Sequence, residues 1–272
     1  MADPSPAETA ELGVIGGSGF YAFFDRSVEV AVETPYGAPS EPPVVGTVAG
    51  RRVAFIPRHG KDHRYPPHRI PYRANMWALR ALGVRQVIAP CAVGGLQPDL
   101  GPGTLVVPDQ LVDRTSGRTP TYYDDGAVHV SFADPYCPTG RATSATAAQD
   151  DGWPVVDGGT MVVIEGPRFS TRAESQWFTA QGWSLVNMTG HPEAVLAREL
   201  ALCYTAVALV TDLDAGVTPH EAVTQEEVFR VFGQSIPKLR DTVRRIVHEL
   251  PTSRACPCAH ALDGIDTGLV LP

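Results

Sequence analysis

Short apolar runs, each bounded by glycine or proline, recur along the chain and constrain its fold more than any other feature. Their length and their Val and Ile content favour buried strands over helices. Seven such runs occur: LGVIGG, RRVAFIPRHG, RQVIAPCAVGG, GTLVVPDQLV, GTMVVIEGP, SLVNMTG and CYTAVALVTDLD. Helical patterns lie between and after them, so the sequence predicts a single α/β domain around a largely parallel or mixed sheet.

The helical patterns begin at recognisable N-terminal signals. Thr171 and Glu174 have the spacing of a capping box before an apolar face. The same spacing recurs at Thr224 and Glu227, where a long amphipathic segment begins. Pro237 lies inside that segment and is expected to kink the helix.

The chain shows no linker and no repeat. We expect a disordered leader over residues 1–11, one domain over 12–250 and a C-terminal tail over 251–272. The stretch from about 110 to 158 is rich in loop signals, and long irregular segments in a compact fold are usually functional or interfacial.

Composition excludes several classes of function. The 272 residues are 43% hydrophobic, which is enough for a sizeable core, and the formal net charge is −8. That charge argues against a nucleic-acid surface. No run of about 18 apolar residues predicts a membrane span, and the acidic N-terminus lacks the order of a signal peptide. We therefore expect a cytoplasmic protein.

Five cysteines are present. Cys91, Cys137 and Cys203 lie in apolar surroundings, where buried free thiols are expected. Cys256 and Cys258 form a C-x-C pair with a histidine nearby. A metal site is conceivable there, but no second cysteine pair has ligand spacing, so the sequence favours an oxidisable thiol pair in the tail and no metal.

The glycine-rich stretch GVIGGSGFY, residues 13–21, follows the first predicted strand. A dinucleotide fingerprint needs G-x-G-x-x-G leading into a helix, and neither the spacing nor the following residues fit. A phosphate cradle and a simple structural turn both remain open, because glycines allow backbone N–H groups to converge on an anion.

Two polar groups stand where predicted strands end. Arg58 and His59 open a basic, histidine-rich loop in a net-acidic protein, which points to a bound anion. Asp212 and Asp214 follow a long apolar strand and alternate along it. If exposed, they belong to an ordinary loop; if enclosed, they have perturbed pKa values and can exchange protons.

Taken together, these stretches resemble the 5′-methylthioadenosine phosphorylase branch of the trimeric purine nucleoside phosphorylases. The resemblance runs from about Leu12 to Leu250 and rests on eight blocks in the same order: VIGGSGF, PRHGKDH, RANMWALRALGV, PCAVGGL, VDRT, GTMVVIEGPRFSTRAES, NMTGHPEAVLAREL and VTDLDAG. It implies an α/β fold with a partly barrel-like central sheet, a homotrimer, phosphate as co-substrate, and no metal or organic cofactor.

The resemblance also implies site residues. Phosphate binding falls to Ser18, Arg58, His59, Cys91, Ala92 and Thr189, with Cys91 standing where threonine is common. The nucleoside is expected to contact His63, Phe169, Ser170, Met188, Gln225, Val228 and Phe229. His129 matches a histidine that reaches the neighbouring subunit's pocket near the 5′ group.

The implied reaction is phosphorolysis of 5′-methylthioadenosine to adenine and 5-methylthioribose 1-phosphate, in purine and methionine salvage. Phosphate stabilises the cationic sugar and attacks it, while an acid protonates N7 of the leaving base. Asp212 is the candidate acid, and Asp214 orients it and accepts from the exocyclic amine. Two carboxylates suit a 6-aminopurine, whereas a 6-oxopurine calls for an amide.

Gln225 and Phe229 leave rival functions open, because smaller aliphatic residues are more usual at their positions. Either Gln225 points away as a surface residue, or it reshapes the 5′ pocket for another small group, such as a halogen. The two aspartates disfavour a 6-oxopurine phosphorylase, and the anion site disfavours a nucleoside hydrolase. Together, these residues also argue against a non-catalytic adenosine-binding protein, and the failed fingerprint argues against a dehydrogenase.

Overall fold

A computed structural model describes residues 8–17, 20, 23–24, 26–218 and 222–272. Within them, eleven strands form: β1 (Leu12–Gly16), β2 (Ser27–Glu29), β3 (Val44–Val48), β4 (Arg51–Pro57), β5 (Gln86–Gly95), β6 (Leu105–Val107), β7 (Gln110–Arg114), β8 (Val155–Asp157), β9 (Thr160–Ile164), β10 (Leu185–Asn187) and β11 (Cys203–Leu213). Each of the seven apolar runs contributes at least one of them.

The sheet is built around β5. β11 runs parallel to β5 along its full length, from Cys203 opposite Gln86 to Leu213 opposite Gly95. On its other edge, β5 pairs first with β1 and then with β10. The order β2–β3–β4–β1 continues on one side and β10–β9–β7 on the other, while β6 joins β11 to β8. The mixed central sheet expected from the sequence is confirmed, and it branches at β5.

Five helices flank the sheet in the described part of the chain: α1 (Tyr72–Ala81), α2 (Pro138–Asp150), α3 (Arg172–Ala180), α4 (Gly190–Glu199) and α5 (Gln225–Glu249). The capping box at the start of α3 is confirmed in both directions, between Thr171 and Glu174. Thr224 accepts from the Glu227 amide at the start of α5, and that helix continues through Pro237. No described helix is long and apolar enough to cross a bilayer.

The core lies on both faces of the sheet. Successive residues of β1 belong to different apolar clusters, Val14 to one and Ile15 to the other, as expected when side chains alternate across a strand. Helix α5 covers the Val14 face, with Leu239 and Val243 among the buried residues. Helices α1 and α4 cover the opposite face. The result is three layers, with the sheet in the middle.

The prediction of a loop-rich stretch from 110 to 158 is wrong in part, because α2 occupies 13 of its residues. This helix, PTGRATSATAAQD, is made of small and polar residues, so it carries no apolar stripe for a sequence pattern to show. The ends of the chain also pack. Ala10, in the predicted leader, is buried, and Leu269 and Leu271 of the tail pack against the core.

Candidate active site

A cavity of about 410 Å³ opens where β5 and β11 end. Its volume is within the range of sites for small organic molecules. It brings together fourteen of the sixteen residues that the sequence analysis selected: Arg58, His59, His63, Cys91, Ala92, Phe169, Ser170, Met188, Thr189, Asp212, Asp214, Gln225, Val228 and Phe229. Residues far apart in the chain therefore meet at one edge of the sheet.

The other two selected residues are Ser18 and His129. Ser18 lies outside the described residues, and its neighbour Gly17 lines the cavity. His129 is exposed and is not one of the lining residues. Its predicted role in a neighbouring subunit stays a prediction.

The Arg58 guanidinium marks one end of the cavity. It is buried, and its Nε and Nη2 donate to the two carboxylate oxygens of Glu193 at 2.8 and 2.9 Å. Backbone carbonyls of Ile15 and Pro90 accept from Nη2 and Nη1. Burial alone would lower the pKa of Arg58, but the Glu193 carboxylate raises it, so the guanidinium stays charged. Most of its donors are engaged, leaving one Nη1 hydrogen for a ligand.

His59 is held in a defined tautomer beside Arg58. Its Nδ1 lies 2.9 Å from the Tyr65 carbonyl oxygen, which can only accept, so Nδ1 carries the proton. Burial lowers the pKa of His59 to about 4, the carbonyl opposes this, and Arg58 lowers it further. The ring is therefore neutral at pH 7 and its Nε2 is a hydrogen-bond acceptor. A protonated phosphate oxygen can donate to that nitrogen.

Asn187 organises the loop between β10 and α4. Its Oδ1 accepts from the backbone amides of Thr189 and Gly190, both at 2.7 Å, and its Nδ2 donates to the Ala92 carbonyl at 3.2 Å. This places Thr189 directly before α4, in the wall of the cavity. Burial raises the pKa of the nearby Cys91 thiol to about 12, so it is a neutral, weak donor where a threonine hydroxyl would be a stronger one.

Asp212 marks the opposite end of the cavity, and a bulge in β11 sets its position. The register between β11 and β5 shifts between Val210 and Asp212, which leaves Thr211 as the extra residue. The Thr211 hydroxyl donates to Asp212 Oδ2 at 2.8 Å. Burial, opposed by this hydroxyl and assisted by the charge of Asp214, raises the pKa of Asp212 to about 6. The carboxyl can therefore hold a proton close to neutral pH.

Buried polar atoms without partners lie beside Asp212. The Oδ2 of Asp214 and the Oγ of Ser170 are buried and have no partner at good hydrogen-bond geometry among the described residues. Burial raises the pKa of Asp214, and the nearby Ser175 and Ser170 hydroxyls oppose this. Buried polar groups in native structures are nearly always paired, so these atoms indicate a ligand with hydrogen-bonding edges at this end of the cavity.

Gly94 allows β5 to approach the aspartate closely. A Cβ atom at this position would lie 2.9 Å from Val186 Cγ1 and 3.1 Å from Asp212 Oδ1. Glycine is therefore the residue that fits where β5 passes close to the Asp212 carboxyl group.

The rim of the cavity is formed by the first turn of α5 and the basic loop. The Phe229 ring is 52% exposed and packs edge-on against the His63 ring, with centroids 6.1 Å apart. His63 in turn stacks on His59 at 5.0 Å. Gln225 is exposed and is one of the residues that line the cavity.

Sequence reasoning missed the residues that support the site. One is Glu193, which pairs with Arg58. Another is Arg118, which donates to the Met188 and His191 carbonyls at 2.9 and 2.5 Å. Their partners are 135 and about 70 residues away in the chain, so no local pattern signals them. The PE dipeptide at the start of α4 resembles an ordinary charged first turn.

This arrangement can perform a defined chemistry. One end of the cavity offers a guanidinium, a neutral imidazole and the Thr189 hydroxyl, which together suit an oxyanion. The other end offers a carboxyl group that holds a proton near pH 6. A molecule between them can be attacked at one side while a leaving group is protonated at the other.

Proteins of similar sequence and structure are known. A family model described as the phosphorylase superfamily matches residues 11–250. The chain is 62% identical to the purine nucleoside phosphorylase of Streptomyces coelicolor, over 97% of this chain and 98% of that protein. It is 60% identical to the S-methyl-5′-thioadenosine phosphorylase of Mycolicibacterium smegmatis, over 96% and 99% of the two chains. The structure of a methylthioadenosine phosphorylase from Schistosoma mansoni in complex with adenine matches with a TM-score of 0.84 and 38% identity, covering 88% of this chain and 91% of that one.

Proposed function

The chain belongs to the phosphorylase superfamily, and on that premise we propose that it cleaves 5′-methylthioadenosine with inorganic phosphate, giving adenine and 5-methylthioribose 1-phosphate. The observation that carries the proposal is the pairing of two chemically opposite ends in one cavity, the cationic Arg58 end and the proton-holding Asp212 end. The choice of a thiomethyl substituent at the 5′ position rests on the relatives that are named methylthioadenosine phosphorylase.

Phosphate occupies the Arg58 end. The free Nη1 hydrogen of Arg58 and the Thr189 hydroxyl donate to its oxygens, while His59 Nε2 accepts from a protonated oxygen. As the glycosidic bond lengthens, positive charge develops on the ribose and is stabilised by the phosphate anion. One phosphate oxygen then forms the new bond to C1′, and no cofactor is needed.

Adenine occupies the Asp212 end. The bond electrons move into the purine, and the proton held by Asp212 is transferred to N7 of the departing base. The unpartnered Asp214 Oδ2 accepts from the exocyclic amine, and the Ser170 hydroxyl completes the base contacts. A 6-oxopurine would place a carbonyl oxygen against Asp214, leaving two acceptors face to face, so adenine nucleosides are favoured.

One observation supports a second candidate within this class. Gln225 lines the cavity at the rim, together with the exposed Phe229 ring. A polar group beside the 5′ position suits a substituent other than thiomethyl, such as a halogen. This candidate shares every other step of the reaction.

We propose that the protein is a homotrimer in which His129 of each protomer completes the 5′ end of its neighbour's cavity. The support is that His129 is exposed and lies outside the cavity of its own protomer. The site would then be formed by residues from two subunits.

Adenine release tests the proposal directly. It is measured with and without phosphate from 5′-methylthioadenosine, 5′-chloro-5′-deoxyadenosine and, as release of hypoxanthine, from inosine. We expect phosphate-dependent release that is fastest with the thiomethyl substrate. Faster release from the chloro compound would assign the second candidate. Turnover of inosine, or release without phosphate, would contradict the roles given to Asp214 or to the anion end.

A further inference from the structure

Four cysteines that are scattered in the sequence meet at one point of the fold. Cys137 precedes α2, Cys203 begins β11, and Cys256 and Cys258 belong to the tail. All four are free and at least 95% buried. Their Sγ atoms all lie within 4.8 Å of one another, and those of Cys203 and Cys256 are 3.3 Å apart.

This spacing is close to that of a tetrahedral thiolate site. With a Zn–S bond of about 2.3 Å, the sulfur atoms of such a site are about 3.8 Å apart. The four sulfurs therefore need to move by roughly 1 Å or less to coordinate one ion. We propose that Cys137, Cys203, Cys256 and Cys258 form a structural tetrathiolate site for Zn²⁺.

The surroundings support a negatively charged sulfur cluster. Four thiolates around one Zn²⁺ carry a net charge of −2, which needs donors and cations nearby. Arg254 Nε lies 3.4 Å from Cys203 Sγ, and the Gly140 amide donates to Cys137 Sγ at 3.4 Å. The Arg254 guanidinium therefore supplies one positive charge beside the cluster.

A bound cation also explains how four thiols can be packed together. Zn²⁺ binding deprotonates coordinated thiols. Soft thiolate ligands in a tetrahedral set select zinc or iron over hard cations, and no redox chemistry is required of a buried structural site.

The site lies far from the catalytic cavity. Cys203 stands at the beginning of β11 and Asp212 near its end, nine residues along the strand, which is about 30 Å. The ion would tie the tail to α2 and β11, so its role is stability. The inference therefore stands or falls separately from the proposed reaction.

Zinc content and thiol count test it in the full chain, purified under reducing conditions from zinc-supplemented cells. We expect about one zinc per chain by elemental analysis. Replacement of that zinc by Co²⁺ is expected to give the intense thiolate-to-cobalt absorption of a tetrahedral sulfur site. The Cys91→Ala variant is the matched control, because it removes a buried cysteine outside the cluster and should keep the zinc.

Removal of the metal supplies the second measurement. Chelation, or the Cys258→Ser substitution, should abolish zinc binding and lower the thermal midpoint by roughly 5 °C or more, while KM for nucleoside at 25 °C stays unchanged. A protein without zinc whose five cysteines all react as free thiols would overturn the proposal. So would a metal-free protein with one reactive thiol before reduction and five after it, because the cluster would then hold two disulfides.

Discussion

Arg58 is buried and Asp212 is partly buried, and their neighbours have opposite effects on the charge of the two side chains. Arg58 is paired with Glu193 through two hydrogen bonds, so its charge is permanent. Asp212 accepts a hydrogen bond from the Thr211 hydroxyl, but no described cation lowers its pKa. Burial therefore favours the neutral form of its carboxyl group. The residues around Arg58 and Asp212 therefore keep one side chain charged and let the other hold an exchangeable proton, both within one cavity.

Asp212→Asn tests the proton donor. An amide keeps the shape but cannot transfer a proton, so kcat/KM should fall by about 10²- to 10⁴-fold. In the unsubstituted enzyme, activity should decline as pH rises through about 6, because the carboxyl loses its proton there. The variant should lack this decline, and its thermal midpoint at pH 8 should be higher, since no buried charge forms.

The pH profile of kcat/KM and a thermal melt at pH 8 measure these effects. An unchanged kcat in Asp212→Asn, or an identical high-pH decline, would mean that another group protonates the base.

Glu193→Gln tests the buried pair, and Glu174→Gln is the matched exposed comparison. Glu193 is fully buried against Arg58, and loss of its charge leaves an uncompensated buried guanidinium, which costs about 3 kcal/mol. Glu174 pairs with the exposed Arg168, where ion pairs contribute about 1 kcal/mol or less. Urea unfolding gives the free energy of unfolding of each variant. Equal losses of this free energy in Glu193→Gln and Glu174→Gln would contradict this account.

Strands β5 and β11 both contribute residues to the cavity wall, and both were recognisable from the sequence. The apolar run of β11 ends in polar residues, which is why Asp212 could be placed at a sheet edge from the sequence. Helix α1 was not singled out, because seven of its ten residues are buried and it lacks a broad polar face.

The cysteine cluster was missed for another reason. Its members, Cys137 to Cys258, are spread over nearly half of the chain, and only the tertiary fold brings them together.

Gly94→Ala tests the close approach of β5 to Asp212. The added Cβ would press on Val186 and on the carboxyl group, so either the strand or the acid must shift. We expect a loss of about 1–3 kcal/mol in stability, as for overpacking of a core, with a fall in kcat. Gly101→Ala is the control, because a Cβ there meets nothing within 4 Å and should leave both quantities nearly unchanged. Urea unfolding and steady-state kinetics measure both, and equal effects of the two substitutions would contradict the argument.

At the scale of the whole molecule, the described residues leave the cavity open on the side of the α5 rim. Gln225 and Phe229 are exposed there, and His129, the predicted contact to the 5′ group, is not among the lining residues. In the proposed reaction, this opening would leave the 5′ group in contact with water. In the proposed trimer, the neighbouring subunit closes this side.

His129→Ala tests the shared site. We expect KM for 5′-methylthioadenosine to rise about tenfold, as for the loss of one hydrogen bond to a bound group, with the trimer retained. His248→Ala, which removes an exposed histidine on the last turn of α5, should have no effect. Kinetics together with light scattering give both results. A monomer in solution, or an unchanged KM in His129→Ala, would contradict the proposal.

The pairing of β5 on both of its edges has a consequence for motion. Its amide hydrogens can exchange with solvent only when a large part of the sheet separates, so they should be among the slowest in the protein. The anion end and the base end of the cavity are both attached to this strand and to β11. We therefore expect the distance between the anion end and the base end to stay constant during turnover. The rate of substrate entry should then depend on the loops and the α5 rim.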